Sequence, residues 1–157
     1  MKEREQRFLE LIRDNRGRLR RLARAYASGD ADERDLYQEM LLQAWRSLPS
    51  FEGRSSPDTW LYRVALNTAL DHDRSEERRR DARIDDEHPL QDRGFERPDR
   101  RYEEREELER LYAAIERLED ADRALVLMYL EEKSYAEMAE VLGISENYVG
   151  VKLHRIR

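Results

Sequence analysis

Apolar residues recur along this chain at spacings of three and four, the period of an α-helix, and the alternation that marks a strand is almost absent. The first stripe runs through Phe8, Leu9, Ile12, Leu19, Leu22, Ala23 and Tyr26 and breaks at Ser28-Gly29. A second holds Leu36, Met40, Leu41, Ala44, Trp45 and Leu48, with Asp30 or Asp32 placed to cap its start and Pro49 to stop it. Residues 50–57 then read Ser-Phe-Glu-Gly-Arg-Ser-Ser-Pro, a loop that turns at Gly53. A third helix starts at Ser55 or Ser56, tolerates Pro57 in its first turn and turns Trp60, Leu61, Val64, Ala65, Ala69 and Leu70 inward. Three such helices make one small all-α domain, residues 1–80.

Past Arg80 the period lapses through Asp85-Asp86-Glu87-His88-Pro89, Gly94 and Pro98. Structureless stretches of this length are uncommon inside a compact domain, so residues 81–104 are expected to form a flexible acidic linker. The helical period returns with Leu108, Leu111, Tyr112, Ile115 and Leu118, breaks at Glu119-Asp120, and resumes with Ala124, Leu125, Leu127, Met128 and Leu130. The fold expected is all-α, with two small helical domains, 1–80 and 105–157, on one tether.

Composition supports that division. Of 157 residues 42% are charged and 39% apolar, with a net charge of −6, which suits two small cores better than one large one. The longest apolar run, Ala124 to Leu130, falls far short of the roughly 20 residues that cross a bilayer, so no membrane insertion is expected. The first residues lack the apolar stretch of a signal peptide, which points to the cytoplasm. With no cysteine there is no disulfide and no thiolate metal site. Basic residues gather at Arg16 to Arg24, at Arg74 with Arg78 to Arg80, and at Lys152, Arg155 and Arg157. Such patches in an acidic chain point to local contacts with a polyanion, and their plain alternative is a solvated helix face.

The segment from Ser134 to Arg157 carries the sharpest pattern. Ser134 can cap a short helix that buries Met138, Ala139, Val141 and Leu142; Gly143 sits at a tight turn and Ser145 caps a second helix. Ile144 plugs the angle between the two, and Val149, Leu153 and Ile156 pin the second helix to the first. This is a helix-turn-helix, with small Ala139 allowing a close crossing. The opposite face, Glu146, Asn147, Tyr148, Lys152 and Arg155, suits a recognition helix that meets base edges at its start and phosphates at its basic end.

Residues 32–45, Asp-Glu-Arg-Asp-Leu-Tyr-Gln-Glu-Met-Leu-Leu-Gln-Ala-Trp, followed by 51–65, Phe-Glu-Gly-Arg-Ser-Ser-Pro-Asp-Thr-Trp-Leu-Tyr-Arg-Val-Ala, and by Asn67-Thr68-Ala69-Leu70-Asp71, closely resemble domain two of bacterial extracytoplasmic-function (ECF) sigma factors. The helix-turn-helix resembles their domain four, and the two matches stand in the family's order. The resemblance implies that Asp35, Gln38 and Glu39, within one turn of each other, dock on core RNA polymerase. It implies that the loop bearing Phe51, Arg54, Ser55, Ser56 and Thr59 captures a base flipped from the minus-ten element, a task to which an aromatic ring and small hydroxyls are suited. Arg63, Asn67 and Asp71, at spacings of four, form one polar stripe, and the resemblance implies that it meets promoter DNA, both the melted nontemplate strand and adjoining duplex, with Arg74 and Arg78 on phosphates. Trp60 and Tyr62 cannot both point inward, so Trp60 is assigned to the core and Tyr62 to the DNA side. The resemblance to domain four implies that Ser145, Glu146, Asn147, Tyr148, Lys152 and Arg155 take the minus-thirty-five element. An anti-sigma factor is the further partner implied, and no cofactor.

The chain departs from the family at Asn147-Tyr148 and Gly150-Val151, so the minus-thirty-five sequence does not follow from it, and it ends in the last turn of the recognition helix, as a trimmed C-terminus would. An enzyme would have to rest on Asp71-His72-Asp73, His88 or His154, yet adjacent helical residues diverge by about 100° and no phosphate loop or nucleophile elbow is present. A stand-alone helix-turn-helix regulator is the other reading; it predicts tight duplex binding without polymerase.

Overall fold

The computed structural model describes residues 2–82 and 101–156, and the stretch expected to be a linker lies mostly outside them. Among the described residues there are seven α-helices: α1 (Lys2–Tyr26), α2 (Asp30–Ser47), α3 (Pro57–Ala82), α4 (Arg101–Glu116), α5 (Asp120–Leu130), α6 (Tyr135–Leu142) and α7 (Glu146–Ile156). The helices flanking the linker thus reach residue 82 on one side and begin at 101 on the other.

The first unit packs α1, α2 and α3 pairwise against each other. Leu19, Leu22, Leu36, Met40, Leu61 and Leu66 are its largest fully buried side chains. A single 3₁₀ turn, Leu48–Ser50, carries the chain past Pro49. Neither Asp30 nor Asp32 caps α2 in the expected way, because Gly29 takes the cap position without a side-chain bond. Asp32 reaches back instead, accepting from the Ser28 amide at 2.8 Å and its hydroxyl at 3.2 Å, and its other oxygen lies 2.8 Å from His72 Nε2 of α3. Ser56 caps α3, accepting the Thr59 amide at 3.2 Å.

The second unit is α4 to α7. Ala124, Leu125, Met128, Met138 and Val149 fill its centre. On α4 the buried face is Tyr112 and Ile115, while Leu108 and Leu111 are exposed, contrary to the stripe read from sequence. Leu9 and Leu130 are exposed as well, and Trp45 lies at the rim, edge-on to Phe8 at 5.1 Å with Arg4 5.3 Å from its ring centre.

The two units are packed together: α1 lies against α4 and α5, and α3 against α6. Several polar groups cross this seam. Tyr26 donates its hydroxyl to the Asp120 carbonyl at 2.6 Å, and Arg123 of α5 donates to the Ala25 carbonyl at 3.1 Å while its guanidinium lies 4.8 Å from the Tyr26 ring centre. Arg24 sits 4.3 Å over Tyr112, Arg21 pairs with Glu131 at 3.0 Å, and Lys133 lies 5.3 Å from the Tyr62 ring.

Candidate nucleic-acid interface

The helix-turn-helix forms from the residues that announce it. Ser134 caps α6, its hydroxyl accepting the Glu137 amide at 3.1 Å and donating to the Glu137 carboxylate at 3.2 Å. Gly143 has φ of 68°, the left-handed conformation in which a side chain is strained, and its amide bonds back to Ala139 at 2.8 Å to end α6. Ser145 accepts the Tyr148 amide at 3.1 Å to start α7. Val149 and Leu153 turn inward, leaving Ser145, Glu146, Asn147, Tyr148 and Arg155 exposed on one continuous surface.

Lys152 departs from its assignment. It is half-buried, 3.5 Å from Asp122 of α5 and 5.4 Å from the Tyr148 ring centre, so an internal carboxylate holds the charge that was expected to meet phosphate. Gly150 costs helix stability without a steric reason: a Cβ there would meet only the Tyr135 ring, at an ordinary 3.5 Å. Gly150→Ala is therefore expected to stabilise the helix-turn-helix by about 1 kcal/mol, read as a higher melting temperature; a fall would show that α7 needs the glycine.

In the first unit Asp35, Gln38 and Glu39 are all exposed on α2. They do not stand apart from the polar stripe of α3. Asp35 and Glu39 line one cleft of about 610 Å³ between α2 and α3 together with Asn67 and Asp71. Arg63, Asn67, Asp71, Arg74 and Arg78 are exposed along α3, so its outer face runs basic, neutral, acidic and basic again. A phosphate is repelled at the Asp71 end of the cleft and attracted at the arginines on either side.

The loop before α3 holds Phe51, half-buried, with its ring centre 5.0 Å from that of Trp60 at a tilt of 41°. Arg54 is exposed and paired with Glu52 at 2.9 Å, and Ser55 and Ser56 reach the surface. Thr59 does not: it is buried, and its hydroxyl bonds to Ser56 at 2.9 Å, so it shapes the loop rather than touching a base.

Tyr62 is the clearest correction. It is 3% exposed, beneath Lys133, while Trp60 is only partly buried. A helix buried on a single face has room for one of these rings, but α3 is covered by α1 and α2 on one side and by α6 on another. Burial pushes the Tyr62 hydroxyl well above the usual phenol range, and the neighbouring Glu131 carboxylate adds to the rise. Sequence reasoning also missed Asn15, Arg21, Tyr26, Arg123 and Glu131; their partners lie tens of residues away, and no local pattern signals such pairs.

Glu131 makes the seam sensitive to pH. Burial raises its carboxyl pKa above the usual value, against the pull of Arg21, Arg18 and Lys133. The packed form therefore binds this proton more tightly than the parted form does, so packing is strongest in acid and weakens as pH rises through the raised value. Tyr62 and Tyr112 also face this site, but their own pKa values are raised and they stay protonated across that range. Energy transfer between labels on the two units should fall as pH rises from the acid side in the native chain and be flat in Glu131→Gln. An equal fall in both would assign the effect to other groups.

The family model for Sigma-70 region 2 matches residues 11–79, and that for Sigma-70, region 4, matches residues 108–157. The RNA polymerase sigma factor YlaC of Bacillus subtilis is 32% identical over 125 residues, 79% of this chain and 72% of that protein. This chain belongs to the ECF branch of the sigma-70 family. It is an alternative sigma factor. The ECF RNA polymerase sigma factor SigM of Mycobacterium tuberculosis is 30% identical over 151 residues, 96% of this sigma factor and 73% of the relative. Two solved structures share the fold at a TM-score of 0.69: CnrH in complex with the cytosolic domain of CnrY, 24% identical and covering 96% of this chain and 82% of that one, and the sigma factor RpoE with the anti-sigma factor NepR from Bartonella quintana, 22% identical and covering 99% and 92%. Among the described residues of this sigma factor no helix is long and apolar enough to cross a membrane.

Proposed function

We propose that this sigma factor binds core RNA polymerase through Asp35, Gln38 and Glu39, reads and opens the minus-ten element with residues 1–80, and reads the minus-thirty-five element with residues 105–157, the intervening 81–104 serving as linker. Arg63, Asn67 and Asp71 take the melted strand, Phe51, Arg54, Ser55 and Ser56 hold the flipped base, and Arg74 and Arg78 meet phosphates. Strand opening is the capture of unstacked bases and needs no hydrolysis, so the protein is not an enzyme. It works where RNA polymerase does, in the cytoplasm, and an anti-sigma factor restrains it, as in the complex of the Bartonella relative.

The observation that supports this reading is that the two exposed surfaces assigned to DNA, the α3 stripe and the start of α7, belong to one packed body. The elements they would read are about 25 base pairs apart by name, roughly 85 Å of duplex at 3.4 Å per pair. A compact chain of this length has a radius of gyration near ~15 Å. The packed form cannot reach both, so polymerase must part the two units and hold them at the promoter's spacing.

The test is capture of purified bacterial core polymerase, followed by abortive transcription on a promoter library with and without the protein. Transcripts that depend on the protein and share a two-element promoter are expected, and Asp35→Arg with Glu39→Arg should remove them by abolishing capture. A protein that ignores core polymerase yet shifts duplex DNA alone would instead be a stand-alone regulator.

A further inference from the structure

Asn15 sits on α1, 4% exposed, in a helix face otherwise given to apolar side chains. A buried amide is costly unless its donors and acceptor are used, and all of them are. Its Nδ2 donates to the Leu11 carbonyl at 2.9 Å and to Asp58 Oδ1 at 2.7 Å, and its Oδ1 accepts from Arg18 Nη1 at 3.3 Å. The bond to Asp58 spans 43 residues of sequence and is the shortest of the three.

Asp58 is the second residue of α3, directly after the loop at residues 51–56. At its upstream end the loop is held by the Phe51 amide on the Leu48 carbonyl at 3.1 Å. At its downstream end Ser56 ties it to Thr59, which fixes the loop to α3 but not α3 to the rest of the unit. Apolar packing on α1 and α2 holds α3 as a body, and Asn15, through Asp58, ties its first turn to α1 by a directional bond. Trp60, whose ring carries Phe51, belongs to the same first turn. Where α1 holds Asp58, the loop's aromatic pair, its exposed Arg54 and Ser56 and its half-buried Ser55 are held too.

We infer that Asn15 is a positioning residue for promoter reading, setting the loop's place through Asp58 and so its choice of base at the minus-ten element. The inference rests on the assignment of residues 51–56 as the reading loop. A displacement beyond about 0.5 Å is enough to degrade a polar constellation of this kind. The effect is therefore on selectivity, beyond whatever the bond adds to stability.

The chemistry of the pair supplies the test. Asp58→Asn keeps an acceptor opposite the Asn15 amide and should behave as the native protein. Asn15→Asp sets two carboxylates against each other, and the exchange Asn15→Asp with Asp58→Asn restores a bond in the reverse sense. Asp58→Ala, at an exposed position, removes the bond without leaving a hole. Each is assembled with core polymerase and assayed on promoters randomised at both elements, alongside its melting temperature. Asn15→Asp and Asp58→Ala should lose minus-ten base preference by about tenfold, the exchange should recover most of it, and minus-thirty-five preference should not move. Melting temperatures that fall while minus-ten preference stays native would overturn the inference and leave Asn15 a structural bond. Phe51→Ala and Arg54→Ala separate the two levels: if they too leave minus-ten preference unchanged, the loop assignment is wrong and the inference falls with it, whereas a shift in these alone overturns only the role of Asn15.

Discussion

Replacing Arg123 by alanine is expected to part the two helical units and to weaken their packing by about 2–3 kcal/mol, the usual effect of removing a charged hydrogen-bond donor. One side chain serves both units here. It donates to the Ala25 carbonyl at the end of α1, and to the Glu116 and Leu118 carbonyls at 2.9 and 3.3 Å, where it closes the C-terminus of α4. Its guanidinium also faces the Tyr26 ring. Tyr26→Phe, which loses only the bond to Asp120, should have about a third of the effect. The seam is already strained in its polar bookkeeping: Arg24 Nε, Tyr62 Oη, Arg123 Nε and Glu131 Oε2 are buried without a protein hydrogen-bond partner, and all four belong to residues of this seam. Parting hydrates each of them, so a small loss of attraction suffices. The absence of native cysteine allows labels at exposed Glu10 and Glu140 alone, and energy transfer between them should drop in Arg123→Ala. An unchanged distance together with an unchanged melting temperature would show that the apolar contacts hold the units by themselves.

Leu66→Ala should be worse for the protein and act differently. Leu66 is 1% exposed on α3, and truncating a fully buried leucine costs about 2–5 kcal/mol, the higher values where the cavity stays open. A small domain has only about 5–15 kcal/mol in total. The first unit should melt at least 8 °C lower, at roughly 4 °C or more per kcal/mol. Capture by core polymerase and minus-ten opening should fail together, since both surfaces proposed for these tasks lie on α2 and α3. A shift below about 4 °C would mean that neighbouring side chains collapse into the space.

The helix-turn-helix was legible because its signals are local. A capping serine, a glycine that must take positive φ and a second capping serine each act within four residues, and Ser134, Gly143 and Ser145 all do as expected. The loop before α3 was legible for the same reason. Individual side chains on helices were not. Leu108 and Leu111 share the period of a buried stripe yet face solvent, because period sets which residues share a face and not whether another helix covers it. Thr59 and Lys152 were read as DNA contacts from their chemistry, but Ser56 and Asp122 already occupy them.

From sequence alone came the all-α class, two helical units in order, the family, the three-helix arrangement of the first unit and the turn geometry of the second. These rest on periodicity and on backbone preferences that a residue carries wherever it sits. Tertiary structure alone decided that the units pack on one another, that Tyr62 lies beneath Lys133 rather than toward DNA, that Asp35 and Glu39 share a cleft with Asn67 and Asp71, and that Asn15 holds Asp58. Each of these depends on groups far apart in the chain being brought within a few ångströms, and only the packing of whole helices sets that distance.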